Sequence, residues 1–238
     1  MYTGIYGGGY LLYILISLPA LLLGLWAQSK IRIAYNKYSR VRTTSGMTGA
    51  EVARRMLDQN SLSNIRIEET SGTLSDHYDP GKKVLRLSQG VYRSNSVAAA
   101  GVAAHESGHA VQDKEKYGPL KIRSIMIPTV QLGSWLGPIL FMLGLFLSSQ
   151  TGDNIAWFGL ILFSATAAFA LITLPIEINA SNRAKEWLAN SGIVYLSEME
   201  GVHKVLDAAA WTYVAGAAQS ISTILYYLLL LSGRSRRD

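Results

Sequence analysis

The sequence predicts a mainly α-helical membrane protein with about four transmembrane helices and a smaller α+β portion. Only 16% of its 238 residues are charged, and the charges are unevenly placed. A chain needs ~20 residues of helix to cross a hydrocarbon core of ~30 Å. Four longer stretches contain no Asp, Glu, Lys or Arg, so that each can span a bilayer once: residues 1–29, 124–152, 154–176 and 208–233.

The apolar cores of these predicted spans carry Trp and Tyr at several ends, as expected where aromatic rings meet lipid headgroups. No basic segment precedes the first core, which predicts a retained anchor rather than a signal peptide. The last core begins with AAAWTYVAGAA, and such small residues favour packing against other protein. The four predicted transmembrane helices are residues 10–27, 125–147, 155–175 and 208–231.

The basic residues predict the topology. Sixteen Lys and Arg lie between residues 30 and 123, whereas none lies in residues 1–29 or in the 148–154 loop. Cytoplasmic loops carry an excess of Lys and Arg, so we expect the N-terminus outside and the basic block in the cytoplasm. Four crossings place the C-terminal tail outside as well, although it contains Arg234, Arg236 and Arg237, and its side stays open.

We predict one membrane-embedded domain over residues 1–238, with two cytoplasmic parts at residues 28–124 and 176–207. The net charge of +6 comes largely from the first of these parts. Because its basic residues are scattered beside a membrane anchor, we expect lipid headgroups as partners and no nucleic acid. The absence of Cys excludes disulfides and thiolate metal sites, so any metal must be held by His and carboxylate groups.

Local patterns predict the elements of the cytoplasmic parts. A capping box favours a helix over residues 49–60. Ile65–Glu69 and Lys83–Leu87 alternate apolar and polar residues, and the turn-forming DHYDPG lies between them. A small β-hairpin or sheet is therefore expected, with His77 as a surface residue of the turn. The Ala-rich segment over residues 95–114 predicts a helix packed in protein rather than a fifth span.

The helix predicted over residues 95–114 contains the motif HExxH, as HESGH at residues 105–109. Residues four apart lie one above the other on a helix, so His105 and His109 can point at one metal ion while Glu106 flanks it. The alternative is that two polar residues bracket a Glu by chance. Their position on an apolar, Ala-rich helix argues for a ligand, because desolvation without one has a high cost.

A catalytic zinc site has three protein ligands and an open position. The longer motif with a third His is absent, because Gln112 and Glu115 occupy its Gly and His positions. Glu177 is the favoured third ligand. It follows the third span directly, and two crossings return the chain to the side on which the HExxH helix lies. The other carboxylates on that side lie in more polar surroundings and remain alternatives: Glu186, Glu198, Glu200 and Asp207.

The predicted chemistry is hydrolysis by a metal-activated water, with Glu106 as general base. The predicted metal ligands are His105, His109 and Glu177. The expected metal is Zn²⁺, although sites of this composition also bind other divalent ions. The oxyanion formed during hydrolysis needs a further donor. The available donors are His203, Tyr213 and Arg183. His203 is slightly favoured among them.

Three segments are similar to one protein family: SDHYDPGKKVLRLSQGVY at 75–92, SVAAAGVAAHESGHAVQ at 96–112 and PIEINASNRAKEWL at 175–188. Together with the four spans they resemble the YugP-type neutral zinc metallopeptidases of bacterial membranes, which are distantly similar to the HtpX and CAAX-processing gluzincins. The resemblance covers nearly the whole chain. It implies a gluzincin-like α+β portion, the same zinc ligands and base, polypeptide substrates and a place in the bacterial cytoplasmic membrane.

The resemblance also implies two details of the site. The strand near Lys83–Ser88 is expected beside the active-site helix, where an extended substrate could pair with it by strand addition. In HtpX-like relatives an Asp four residues after the third ligand steadies a ligand histidine, whereas this sequence has Ser181 there and Asn179 nearby. A hydroxyl or an amide can still form such a hydrogen bond.

The sequence therefore predicts an integral-membrane zinc metalloendopeptidase whose site opens at the cytoplasmic surface. A site-2-type intramembrane protease is one alternative, but no predicted span contains the Asp that such a site requires. A catalytically silent membrane adaptor or holdase is another. The presence of Glu106 argues against it, because a structural metal site needs no base.

Overall fold

Seven helices and one three-stranded sheet make up the computed structural model, which describes residues 3–147 and 149–234. The helices predicted over residues 49–60 and 95–114 are present as α2 and α4. In chain order the elements are α1 (Thr3–Tyr38), α2 (Gly49–Gln59), β1 (Arg66–Thr70), β2 (His77–Asp79), β3 (Val84–Ser88), α3 (Gln89–Tyr92), α4 (Val97–Lys114), α5 (Gly118–Phe146), α6 (Gln150–Ser191) and α7 (Leu196–Arg234).

Four of the described helices are long and apolar enough to cross a membrane, namely α1, α5, α6 and α7. This confirms the predicted mainly α-helical fold with four candidate transmembrane helices. Each helix is longer than its apolar core, because α1 continues to Tyr38 and α6 to Ser191. The predicted side of the C-terminal tail concerns residues 235–238, which lie outside the described residues.

The chain forms two compact units. The helical unit comprises Met1–Ala27, Ile122–Leu174 and Thr212–Asp238, as far as these are described. The sheet unit comprises Gln28–Lys121 and Pro175–Trp211. The limits of the sheet unit lie close to those of the two predicted cytoplasmic parts. The organisation as one membrane-embedded domain stays a prediction.

Polar and aromatic contacts join the four helices of the helical unit. Ser222 of α7 donates its hydroxyl hydrogen to the carbonyl oxygen of Ile16 in α1 at 2.8 Å. The Tyr227 ring of α7 stacks on Phe141 of α5 with 3.9 Å between centroids, and its centroid lies 5.8 Å from that of Phe163 in α6. Lipid tails are as apolar as the side chains, so packing and hydrogen bonds of this kind must hold membrane helices together.

Glycines bring the backbones of α5 and α6 together. A Cβ atom added to Gly137 of α5 would lie 2.9 Å from the carbonyl oxygen of Gly159 in α6. One added to Gly159 would lie 2.5 Å from the backbone nitrogen of Phe141. Real Cβ atoms do not approach other heavy atoms so closely, so only glycine fits at these two positions in this arrangement. Small residues at helix interfaces in membranes serve this purpose.

The core of the sheet unit is built from α2, α4 and the sheet. The capping box of α2 is present, because the Thr48 hydroxyl accepts a hydrogen bond from Glu51 N at 3.3 Å and the Glu51 carboxylate accepts one from Thr48 N at 2.8 Å. The apolar face of α2 is fully buried at Val52 and Leu57. This face belongs to one cluster with residues of the sheet, α4 and α6, including Leu85, Leu87, Val97, Ala103 and Leu188.

The sheet has the strand order β1-β3-β2. β1 pairs with β3 in parallel, and β2 pairs with β3 in antiparallel fashion. The predicted sheet is therefore confirmed, but a hairpin between the two predicted strands is wrong, because these strands run parallel. The DHYDPG segment contributes β2 itself. Asp79 Oδ1 accepts hydrogen bonds from Gly81 N and Lys82 N at 3.0 Å each, which closes a shorter turn after β2. His77 lies in β2 and is exposed, as predicted for its side chain.

The central position of β3 corrects the expected mode of substrate pairing. All of Val84–Ser88 pairs with β1, and Val84–Arg86 also pairs with β2. Beyond β2, the Asp76 carboxylate accepts a hydrogen bond from Ser88 N at 2.7 Å. Strand addition to residues 83–88 is therefore wrong, because β3 has no free edge. The edges of the described sheet belong to β1 and β2.

We expect Gly159→Leu to lower the melting temperature of the detergent-solubilised protein, because a side chain at this position must separate α5 from α6. Overpacking costs about 1–3 kcal/mol or more. Gly216→Leu is the matched control, since a Cβ atom at Gly216 of α7 has no neighbour within 4 Å. Equal melting temperatures for the two variants would show that the α5–α6 contact does not limit stability.

Candidate metal centre

Two imidazoles from α4 and one carboxylate from α6 meet within the sheet unit. His105 Nε2 lies 3.1 Å from Glu177 Oε2, and His109 Nε2 lies 3.5 Å from the same oxygen. The two imidazole rings stand nearly perpendicular, with 4.9 Å between their centroids. One ligand atom from each of the three residues lies within 4.8 Å of the other two. The structure thus brings together the three residues that the sequence predicted as ligands.

A close approach of α4 to α6 makes this meeting possible. A Cβ atom added to Gly108 would lie 3.0 Å from the carbonyl oxygen of Ala180 and 3.4 Å from its Cα atom. Gly108 directly precedes His109, and Ala180 follows Glu177 by three residues. The two backbones therefore touch beside the ligands, and the absence of a side chain at Gly108 sets the spacing between the helices.

The three side chains lie close enough together to share one zinc ion. Zinc binds imidazole nitrogen at ~2.0–2.1 Å and carboxylate oxygen at ~2.0–2.2 Å, so tetrahedral ligand atoms lie roughly 3.2–3.5 Å apart. The two nitrogen–oxygen distances of 3.1 and 3.5 Å are close to this range. Two nitrogens and one oxygen also leave a fourth position open, which is the donor set of a catalytic rather than a structural zinc site.

The centre is buried and attracts positive charge. His109 and Glu177 are 7% and 2% exposed. Burial lowers the pKa of His109, but the hydrogen bond to Glu177 and the charges of Glu106 and Glu177 outweigh burial and raise the pKa above its usual value. Two carboxylates that favour a cationic imidazole favour a bound divalent cation for the same electrostatic reason.

Each of the two histidines has a hydrogen-bond partner on Nδ1. His105 Nδ1 lies 3.0 Å from the Ser181 hydroxyl, so of the hydroxyl and the amide that the sequence offered, the hydroxyl forms this contact. His109 Nδ1 lies 2.9 Å from Gln112 Oε1. Partners of this kind orient metal-binding imidazoles and leave the other nitrogen for the metal. In both residues that nitrogen is Nε2, which points towards Glu177.

The Glu106 carboxylate is half-buried and lies near enough to His109 to influence its pKa. Within residues 3–147 and 149–234, no protein group forms a hydrogen bond or ion pair with it. A carboxylate beside the ligands that is not tied to another side chain can accept a proton from a water molecule, as a general base must.

The alternative carboxylates have other partners or are exposed. Glu198 accepts hydrogen bonds from Thr44 N at 2.7 Å and from Tyr195 N at 2.9 Å. Asp207 forms an ion pair with Lys185. The two remaining candidates are exposed, Glu186 and Glu200. Among the described residues, Glu177 is therefore the carboxylate that fits the third position.

A model of the family described as "Putative neutral zinc metallopeptidase" matches residues 13–232. The chain is also 47% identical over 225 residues to the "Putative membrane protease YugP" of Bacillus subtilis (strain 168), which covers 94% of this chain and 99% of that protein. This chain belongs to the neutral zinc metallopeptidase family. The resemblance seen in the sequence is thereby confirmed. No solved structure matches the chain significantly.

The geometry supports the predicted oxyanion donors less well than it supports the group of His105, His109 and Glu177. The Arg183 guanidinium donates to both carboxylate oxygens of Glu115, at 3.0 and 2.6 Å, and is engaged there. His203 is exposed on α7 and forms no hydrogen bond or ion pair with any described residue. Tyr213 belongs to the helical unit. The role of His203 stays a prediction.

The contact of Gln112 with His109 was not predicted from the sequence, where Gln112 stood only as a departure from the longer zinc motif. Gln112 is fully buried although it is polar. Its spacing of three residues from His109 places both on one face of α4. A Gln on the same apolar helix face as a predicted ligand histidine is the sequence signal that could have identified this contact.

Proposed function

We propose that the chain is an integral-membrane zinc endopeptidase that hydrolyses peptide bonds at the cytoplasmic membrane surface. The observation that carries the proposal is the buried meeting of His105 Nε2, His109 Nε2 and Glu177 Oε2, with Glu106 beside it on the same helix. Membership of the zinc metallopeptidase family supports the same metal and reaction class.

The residues of the centre divide the work of hydrolysis. His105, His109 and Glu177 would hold a zinc ion, which lowers the pKa of a water molecule towards ~7 and polarises a carbonyl oxygen. Glu106 accepts a proton from the attacking water as the new bond between oxygen and the carbonyl carbon forms. It then returns that proton to the nitrogen of the leaving amine as the bond between carbon and nitrogen breaks.

β2 is the edge strand best placed to hold an extended polypeptide. Tyr78 of β2 donates its hydroxyl hydrogen to Asp113 Oδ2 at 2.7 Å, and Asp113 lies on α4 four residues after His109. Lys83, which directly precedes β3, donates to the same oxygen. These bonds fix the β2 edge to the helix that carries the histidines. A peptide that adds to β2 as a further strand would run past the catalytic helix.

The distribution of basic residues supports a cytoplasmic site. The sheet unit contains nearly all of the sixteen Lys and Arg between residues 30 and 123. The positive-inside rule assigns such a segment to the cytoplasm. Membrane or misfolded proteins within reach of that surface are the proposed substrates. The Bacillus subtilis relative is named a putative membrane protease, which supports polypeptide substrates in general.

A catalytically silent adaptor on the same fold is the second candidate function. It would need the ligands for stability but not the Glu106 carboxylate, since a structural zinc site uses no base. The site-2 type of intramembrane protease is disfavoured because the third ligand is a Glu, and none of the predicted spans contains an Asp.

We expect Glu106→Gln to abolish proteolysis of an unfolded polypeptide while purified protein retains its zinc. The amide cannot accept the proton, and loss of a general base lowers the rate by about 10²–10⁴-fold. Metal analysis and a fluorogenic casein assay on the same preparations measure both quantities. Glu200→Gln, at an exposed carboxylate, is the matched control and should behave as wild type. Equal proteolysis by wild type and Glu106→Gln would remove the proposed base, and zinc binding without proteolysis in wild type would favour the adaptor.

We expect Glu177→Ala to weaken zinc binding, because it removes a proposed ligand. Loss of a hydrogen-bond partner of a ligand lowers metal affinity by about 10–100-fold, and loss of the ligand itself should lower it at least as much. Competition with a chromogenic chelator measures the affinity. Glu186→Ala removes another carboxylate from the same helix and should leave the affinity unchanged. If the two variants bind zinc equally, the third ligand is not Glu177.

We expect a reporter inserted in the exposed turn at Ser71–Gly72 to be active only as a cytoplasmic reporter, such as green fluorescent protein. An alkaline phosphatase domain inserted there should be inactive, because it needs an oxidising compartment. The opposite pattern is expected for insertions in the loop between α5 and α6. Active phosphatase at Ser71–Gly72 would place the proposed site on the other side of the membrane.

A further inference from the structure

A buried amide connects the ligand His109 to an ion pair at the surface of the sheet unit. Gln112 Oε1 lies 2.9 Å from His109 Nδ1. On its other side, Gln112 Nε2 donates to the carbonyl oxygen of Ile176 at 2.9 Å and to Asn179 Oδ1 at 2.8 Å. Asn179 Oδ1 also accepts a hydrogen bond from Arg183 Nε at 2.8 Å. The amide of Gln112 therefore bridges α4 and α6 beside the proposed ligands.

The groups that Gln112 and Asn179 contact fix the orientation of both side-chain amides. A guanidinium has only donors, so the atom of Asn179 that faces Arg183 Nε must be the carbonyl oxygen. A backbone carbonyl can only accept, so the atom of Gln112 that faces Ile176 must be the amide nitrogen. Two acceptors of α6, one in the main chain and one in a side chain, thus require the same orientation of the Gln112 amide. A flipped amide would set its oxygen against both of them.

The orientation of Gln112 determines the state of His109. With its nitrogen directed at Ile176 and Asn179, Gln112 presents only an oxygen to His109, and an amide oxygen accepts hydrogen bonds but cannot donate. His109 Nδ1 must then carry the hydrogen. In a neutral imidazole this leaves the lone pair on Nε2, the atom that lies 3.5 Å from Glu177 Oε2.

The partner of the other histidine imposes no such choice. The Ser181 hydroxyl at 3.0 Å from His105 Nδ1 can donate or accept, because its hydrogen rotates. The two histidines are therefore held differently. His105 can exist in either tautomer with its partner satisfied, whereas His109 has one tautomer that satisfies Gln112.

The ion pair between Arg183 and Glu115 holds the last members of this series of hydrogen bonds in place. Arg183 is fixed by two hydrogen bonds to the carboxylate of Glu115, at 3.0 and 2.6 Å. A paired guanidinium of this kind has a defined direction, and its Nε is left to face Asn179. Glu115 lies one residue beyond α4 and Arg183 lies on α6, so the same pair also joins the two helices that carry the ligands.

We propose that Gln112 is a positioning residue for zinc, which fixes His109 in the tautomer that offers Nε2 to the metal and is itself oriented by Ile176 and by the chain Asn179–Arg183–Glu115. This inference rests on the proposed function, because it assigns a role at the same centre. It goes beyond that function in assigning the selection of the tautomer to an amide and, through it, to an ion pair at the surface.

The test compares zinc affinities and melting temperatures of full-length protein purified in detergent. Gln112→Met keeps the length of the side chain but removes the acceptor, and we expect zinc affinity to fall by ~10–100-fold, the usual effect of losing a partner of a ligand histidine. Gln59→Met is the matched control. Gln59 also accepts a hydrogen bond from a side chain, Trp187 Nε1 at 2.7 Å, but touches no ligand, so its substitution should leave the affinity unchanged.

Gln112→Glu separates positioning from simple stabilisation of the fold. Its carboxylate accepts the hydrogen of His109 Nδ1, as in carboxylate–histidine–zinc triads, so most of the affinity lost in Gln112→Met should return. Its melting temperature without metal should stay below that of wild type, because the oxygens of Ile176 and Asn179 then face a group that cannot donate. Recovery of affinity without recovery of stability supports the proposal.

Two results would overturn it. If Gln112→Met binds zinc as tightly as wild type, or if affinity follows the melting temperature in all three variants, Gln112 contributes only packing and the proposed function is unaffected. If wild-type protein binds no zinc while its melting temperature shows a folded protein, the proposed function fails and this inference falls with it.

Discussion

The backbone of α4 at Gly108 lies against the backbone of α6 at Ala180, and the candidate centre depends on this contact. The two histidines of α4 and the carboxylate of α6 meet next to the point where the two helix backbones are in contact. The hydrogen of Gly108 in place of a Cβ atom permits that approach. Metal sites require ligand distances within about ±0.2 Å, so the spacing of these helices is a condition for the chemistry.

Burial makes the polar groups of the centre interdependent. His109, Gln112 and Glu177 lie among alanines and other apolar residues of the sheet unit core. Each lost hydrogen bond there exposes a partner to an apolar environment, which costs ~1–3 kcal/mol. Nδ1 of each histidine and the amide of Gln112 have hydrogen-bond partners in the protein. Glu106 and Glu177 also bring negative charge, which raises the pKa of His109 and so favours a positive charge at the centre. A bound divalent cation would supply that charge.

The sequence was informative where one local pattern decides the structure. Gaps in charge predicted the four long helices, and the helical spacing of His105 and His109 predicted two ligands on one face. Counting membrane crossings placed Glu177 near them, because parity needs no knowledge of packing. The pairing of the strands was not predictable in this way. Alternation of apolar residues shows that Ile65–Glu69 and Lys83–Leu87 have a buried face, but it carries no information on which strand lies beside which.

The network behind His109 was beyond sequence analysis for a related reason. Gln112 and Asn179 are 67 residues apart in the sequence. Their hydrogen bond forms only because the packing of α4 against α6 sets the two side chains side by side. Turn-forming composition also concealed β2, since DHYDPG contains both a strand and the turn that follows it. A pattern reports the propensity of a segment, whereas these features depend on what the rest of the fold places next to it.

The shortness of β2 limits how the proposed substrate can be held. Its edge comprises three residues and is followed by Pro80, which has no N–H group to donate. A peptide lying there gains only a few main-chain hydrogen bonds, each worth about 0.5–1.5 kcal/mol. Binding from dilute solution would therefore be weak. A substrate confined to the same membrane meets the edge at a high effective concentration, which compensates for weak contacts without adding any. Such an enzyme would select its substrates by where they are anchored more than by their sequence.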